Sequence, residues 1–257
     1  MTLARIDDHG DRLVVVNMNV TRRGALSPEL LDCIGEATQR AADPRIRSII
    51  LTAEGGFFCA GGDLNVLIER KALSPTERRS RIEILHDGIR AIRNSPVPVI
   101  AAVEGGAAGA GASLALACDM IVAATGARFI ASYVRAGLVP DGGLTSALSR
   151  MLPRALAMEM CLLARPVAAE RLAQLGVINA AVEPGTALDQ AMALANELAA
   201  GPRGAQGVIR ELVAHAYETS EEAQLDAERD AMALAQGGPE AAEGIAAFLD
   251  KRKPSFG

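Results

Sequence analysis

Five short apolar runs, at residues 13–18, 48–52, 97–103, 120–123 and 177–182, punctuate a chain whose other segments are longer and mixed in polarity. The runs are short, so each reads as a buried strand. Several are separated by helix-length stretches, which predicts an α/β arrangement. Between the first two, Ser27-Pro28-Glu29 marks a helix start, with Ser27 as N-cap and Pro28 at the first helical position. Its apolar face is Leu30, Leu31, Ile34 and Ala37. A second amphipathic helix is expected to end near residue 95, burying Ile82, Leu85, Ile89 and Ile92. The segment ahead of it, from Glu69-Arg70-Lys71 to Arg81, is dense in charge and is expected as a solvated lid or loop. From about residue 186 the chain is Ala-rich and expected helical to its end. A core over 1–195 and a helical segment over 196–257 follow from this pattern.

Two strands run into glycine-rich turns. The first turn is Phe58-Cys59-Ala60-Gly61-Gly62-Asp63-Leu64, with small residues at 60–62 and Asp63 placed to cap a helix. The second follows the 97–103 run: Glu104-Gly105-Gly106 turns the chain, and a helix opens among Gly and Ala around Gly109 and Ala110. Backbone N–H groups at a helix start have no intrahelical partner and sit at the positive end of the dipole. With only small residues around them, a ligand oxygen can approach closely. The stretch therefore suits an anion or a polarised carbonyl, or else a tight strand–helix packing turn. It is not a dinucleotide fingerprint, because Leu114 stands where a third Gly is needed after Gly109 and Gly111. It lacks the Gly-Lys-Ser/Thr of a phosphate-binding loop, and Gly111-Ala112-Ser113-Leu114-Ala115 fails as a nucleophile elbow at its last place.

Composition narrows the classes further. Half of the 257 residues are apolar and 22% are charged, as in a globular core. A net charge of −5 argues against nucleic acid as a partner. The uncharged run between Glu104 and Asp119 is short of a membrane span, and the first ten residues lack the apolar centre of a signal peptide. Cys33, Cys59, Cys118 and Cys161 have no paired spacing, which fits reduced thiols in a cytoplasmic protein. No cofactor or metal is expected.

Together, the first turn, the run Pro98-Val99-Ile100-Ala101-Ala102-Val103 with its second turn, the segment Gly137-Leu138-Val139-Pro140-Asp141-Gly142-Gly143, and the closing Ala246-Ala247-Phe248-Leu249-Asp250-Lys251-Arg252 resemble the crotonase (enoyl-CoA hydratase/isomerase) family. The likeness runs from Asn17 to Lys253. It implies a crotonase (ClpP/crotonase-like) spiral of ββα units with a C-terminal helical segment, assembled as a homotrimer or dimer of trimers. It also implies an acyl-CoA thioester substrate, with coenzyme A part of the substrate. The family's shared device is an oxyanion hole for a thioester enolate. Matched residue by residue, its donors are the backbone N–H groups of Gly62 and Ala110. Ala60, Gly61, Asp63, Leu64 and Gly109 flank them. The match puts Ala25 and Leu26 in the CoA-binding loop, with Arg22 or Arg23 near the phosphates. Phe248 and Lys251, from a neighbouring subunit, complete the CoA site.

The chain departs from the hydratases at the two positions where they carry glutamates, which here are Ser113 and Tyr133, expected to line the substrate site. Neither side chain is a carboxylate base near neutral pH. Asp141 matches an aspartate used in dienoyl-CoA isomerase-like, phenylacetate-pathway and dehalogenase-like relatives, and is the expected proton carrier. Pro-Asp-Gly-Gly is also a plain turn signal. His86, on the helix before the Pro96–Pro98 turn, is a second catalytic candidate, or a packing histidine. The resemblance thus favours Asp-mediated double-bond isomerisation. Hydration or ring opening of an aromatic-derived enoyl-CoA, such as an oxepin-type thioester, and a non-catalytic acyl-CoA-binding oligomer are the alternatives.

Overall fold

A computed structural model describes residues 2–256. The strands are β1 (Ala4–Asp8), β2 (Arg12–Asn17), β3 (Ser48–Ala53), β4 (Val99–Val103), β5 (Gly106–Ala108), β6 (Met120–Ala124), β7 (Arg128–Ile130), β8 (Val167–Ala168) and β9 (Ala180–Val182). The helices that bear on the site are α1 (Pro28–Arg40), α2 (Leu64–Glu69), α3 (Pro75–Arg93), α4 (Ala110–Ala117) and α5 (Leu144–Met151). Beyond them come α6 (Arg154–Leu163), α7 (Ala169–Gln174), α8 (Ala187–Ala199), α9 (Arg203–His215), α10 (Glu221–Gln236) and α11 (Pro239–Leu249). One sheet has the order β1-β2-β3-β4-β6-β9, parallel except for the β1–β2 hairpin; the smaller sheet is β5-β7-β8.

Both faces of the larger sheet are covered, which is why its strands read as continuous apolar runs. Successive side chains alternate between two cores. Leu13, Val15, Ile49, Leu51, Val99 and Ala101 face the core shared with α1, α3 and α4. Val14, Val16, Ile50, Ile100, Ala102 and Val122 face α8, which meets them with Ala187, Ala191 and Ala195. Alanine at every fourth position lets that helix lie close to the sheet. Residue 195 lies within α8, and the chain turns near Gly201 before α9. Among the described residues no helix is long and apolar enough to cross a membrane.

Three expectations change. The charged stretch from Leu64 onward is not an open loop: it forms α2, a short 3-10 turn at Arg70–Ala72, and the first half of α3. A reciprocal capping box starts α3, with the Ser74 hydroxyl accepting from Glu77 N and the Glu77 carboxylate accepting from Ser74 N. Ile82 is exposed, so the buried face of α3 is Leu85, Gly88, Ile89 and Ile92. The segment after Gly105 does not pass directly into α4 either, because Gly106-Ala107-Ala108 pairs with β7 as a strand. Gly106, at φ +144, lies so near the β7 backbone that a Cβ there would sit 2.4 Å from Arg128 O.

Candidate active site

The two glycine-rich turns lie side by side. Cys59 bridges Ala107 in parallel, and Ala108 N donates to Cys59 O at 2.9 Å. Gly61, at φ +88, is required there: a Cβ would fall 2.6 Å from Ala108 O and 3.1 Å from Ala110 N. Gly111 permits an equally close approach, since its Cβ would meet Cys59 O at 2.2 Å. This packing brings the N-terminus of α4 against the first turn. All eight residues of α4 are buried, and Gly109 at its N-cap supplies no side-chain acceptor. Among the described residues, the N–H groups of Gly62 and Ala110 donate to no protein acceptor. A buried donor without a partner is costly, so Ala110 at the foot of a helix is suited to a ligand oxygen.

The loop before α1 is laced to the same turns. Leu26 N donates to Gly61 O (2.8 Å) and Ala60 N to Arg23 O (3.1 Å). Two buried asparagines, which the sequence pattern did not single out, fix this loop. The Asn17 side chain donates to Gly24 O, and that of Asn19 to Ala25 O. Their only signal was a polar pair at the end of an apolar run. Arg23, at φ +51, lays its guanidinium over the Phe57 ring at 4.2 Å. Arg22 forms an ion pair with Asp63, whose other oxygen caps α2 through Asn65 N. Leu64, the first residue of α2, is exposed beside them. Ala25 is buried and Leu26 half-buried. Phe248 and Lys251, at the end of α11, are exposed.

One turn along α4 from Ala110, Ser113 meets Asp141. The Tyr133 hydroxyl donates to Asp141 Oδ1 at 2.7 Å, and Ser113 Oγ donates to the Asp141 carbonyl at 2.9 Å. The two hydroxyls are 3.2 Å apart. Burial, reinforced by the Asp141 charge, pushes the Tyr133 phenol well above its ordinary value, so it remains a proton donor. Gly142 N donates to His86 Nε2 at 3.3 Å. That nitrogen is therefore an acceptor, and Nδ1 carries the proton toward Glu83, 3.6 Å away. Asp141 Oδ2 accepts no hydrogen bond from the described residues. The structure thus brings Ser113, Tyr133, Asp141 and His86 together beside the α4 N-terminus. No group of three or more His, Cys, Asp or Glu arranged for a metal ion occurs among the described residues.

A site with two unpaired backbone donors and one adjacent carboxylate is suited to stabilising an oxyanion while moving a proton nearby. The family described as enoyl-CoA hydratase/isomerase matches residues 10–257. The chain is 38% identical over 229 residues to a 1,2-epoxyphenylacetyl-CoA isomerase of Escherichia coli (strain K12), covering 89% of this chain and 86% of that one. It is 37% identical over 247 residues to a probable enoyl-CoA hydratase of Rhodobacter capsulatus, covering 96% and 91%. The crystal structure of an enoyl-CoA hydratase from Polaromonas sp. JS666 superposes with a TM-score of 0.95 at 43% identity, covering 98% of both chains. Fold, paired glycine turns and sequence agree: the chain belongs to the enoyl-CoA hydratase/isomerase family.

Proposed function

We propose that this protein is an acyl-CoA double-bond isomerase in which Asp141 carries the proton. The observation that supports it best is the pairing of Asp141 with Tyr133, which holds one carboxylate oxygen and leaves the other without a protein partner. Two other carboxylates near the turns are engaged: Asp63 by Arg22 and Asn65 N, and Glu104 by Gly185 N and Ala187 N. With a 3-enoyl thioester, Asp141 takes a proton from C2. The electron pair moves onto the thioester oxygen, where the N–H groups of Gly62 and Ala110 stabilise the dienolate. Asp141 returns the proton at C4, the carbonyl re-forms, and the double bond lies between C2 and C3. Nothing is added or lost. A missing donor of this kind costs about 2.7–4 kcal/mol of transition-state stabilisation.

Arg23 beside Ala25 and Leu26 would meet the CoA phosphates, and Phe248 and Lys251 of a neighbouring subunit would close the CoA site in a homotrimer. Support for assembly is the exposed apolar surface of the C-terminal helices, including Leu234, Ile245, Phe248 and Leu249. Free cysteines are compatible with a cytoplasmic setting.

Asp141→Asn keeps the shape of the side chain and removes the base. It should abolish turnover while leaving CoA affinity within about twofold, read by calorimetry, since no CoA contact is assigned to it. Full turnover in the variant would move proton transfer elsewhere, with His86 next. A second reading is hydration or ring opening of an aromatic-derived enoyl-CoA. It is favoured by the relative named as an isomerase of 1,2-epoxyphenylacetyl-CoA.

A further inference from the structure

We propose that Tyr133 and Ser113 are positioning residues for Asp141, not ligands of the substrate. The proposal rests on the isomerase reading above, and it concerns how one carboxylate is made to serve both ends of a proton shift.

Asp141 lies in a turn held from three elements. Ser113 of α4 donates to its backbone carbonyl, Tyr133 of the 3-10 turn after β7 donates to its carboxylate, and His86 of α3 accepts from the next peptide N–H. Gly142 makes this possible. At φ +59 its Cβ would lie 2.8 Å from Ser113 Cβ, so any side chain would push the turn off α4. Ser113 is 2% exposed, and its one proton goes to the Asp141 carbonyl. The one phenolic proton of Tyr133 goes to Oδ1, its shortest contact. Both donors are therefore committed to Asp141, and neither has a proton left for a thioester.

The consequence is directional. Pinning Oδ1 fixes the plane of the carboxylate and leaves Oδ2 as the single basic atom facing the reacting carbons. A fixed atom can collect a proton at one carbon and return it at another on the same face. Charged or titratable groups beside this turn include His86 and Glu83, behind Gly142, and Arg93, against Gly143. None of them hydrogen-bonds the carboxylate, and Arg150 of α5 turns away to Glu218. α4 presents no charged side chain.

Tyr133→Phe tests this on the whole enzyme with a 3-enoyl-CoA. We expect kcat/KM to fall roughly 10- to 100-fold, as for loss of a hydrogen bond to a charged group, with KM within about twofold. The loss should lie in kcat, because a carboxylate without its donor is no longer held in one plane and meets the two carbons less often. Ser113→Ala should lower kcat less and leave KM unchanged, since Ser113 donates to the backbone carbonyl and not to the carboxylate. A third variant preserves the fold and restores the donor. The chain has two tyrosines, so in a Tyr217→Phe background fluorotyrosine labels position 133 alone. Its phenol still donates to Oδ1, so kcat should recover from the Tyr133→Phe value toward that of the wild type. A Tyr133→Phe kcat that stays at the wild-type value, or a fluorotyrosine kcat no better than that of Tyr133→Phe, would overturn the proposal, and a loss carried by KM would overturn it by making Tyr133 a substrate contact. Wild-type turnover in Asp141→Asn would instead remove the isomerase reading on which the proposal stands.

Discussion

Gly111 shows how a single missing atom can shape this site. A Cβ there would stand 2.2 Å from Cys59 O and 2.7 Å from Cys59 Cβ, with backbone on both sides unable to yield cheaply. Gly111→Ala should therefore lever the start of α4 off the first turn and separate the Gly62 and Ala110 donors. We expect kcat/KM to drop by about 10²–10³, comparable to losing one oxyanion donor, with circular dichroism and CoA binding little changed. An unaltered rate would place the oxyanion site elsewhere. The sequence signalled the position, since small residues at a strand–helix turn imply a close approach. It also showed that Ser113 and Tyr133 cannot serve as carboxylates. What it could not carry was donor direction. A hydroxyl both gives and accepts, and these two meet Asp141 across 28 and 8 residues of chain. The same holds for His86, whose acceptor role depends on Gly142, and for Arg23, whose ring partner Phe57 lies beyond the reach of any local pattern.

Elements were legible where burial is two-sided or amphipathic. The runs that became β2, β3, β4 and β6 are buried on both faces, and α1 begins at Ser27, whose hydroxyl accepts from Leu30 N. Charge density misled over α2 and α3, where capping and not burial decides the start of a helix. The short strands β5, β7 and β8 escaped because two or three residues are too few to show a strand pattern, and only pairing defines them. Side chains also stitch distant elements together in ways no periodicity announces. Arg210 of α9 donates to Asp119 Oδ2 (2.6 Å), Ser95 O and Ile92 O, fastening the C-terminal helices to the ends of α3 and α4. Burial pushes the Asp119 carboxyl up from its ordinary value, and Arg210 pulls it back. Arg210→Ala should cost about 2–4 kcal/mol at neutral pH, measured by urea unfolding, because it strands a largely covered carboxylate and two carbonyls. Without the arginine, Asp119 in the folded state holds its proton to still higher pH than in the unfolded chain. The penalty is therefore largest at neutral pH and shrinks as pH falls toward the ordinary carboxylate range near 4, where protonation removes the unpaired charge. A pH-independent penalty would mean that the carboxylate is not what the arginine answers.

Across the whole molecule, the parallel sheet supplies a rigid wall, the smaller sheet carries the second turn, and the C-terminal helices leave apolar side chains exposed at their far end. The proposed oxyanion donors come from the strand-to-helix turns, while the proposed base comes from a loop clamped by α3, α4 and the turn after β7. That division separates enolate stabilisation, which the family shares, from proton delivery, which sets the outcome. The most direct measurement is mass spectrometry of a 3-enoyl-CoA incubated with the enzyme in deuterated water, with Asp141→Asn alongside. Proton transfer through Asp141 predicts the 2-enoyl isomer, deuterium taken up on carbon without addition of water, and none of this in the variant. Addition of water across the double bond, or the same deuterium uptake by the variant, would contradict it.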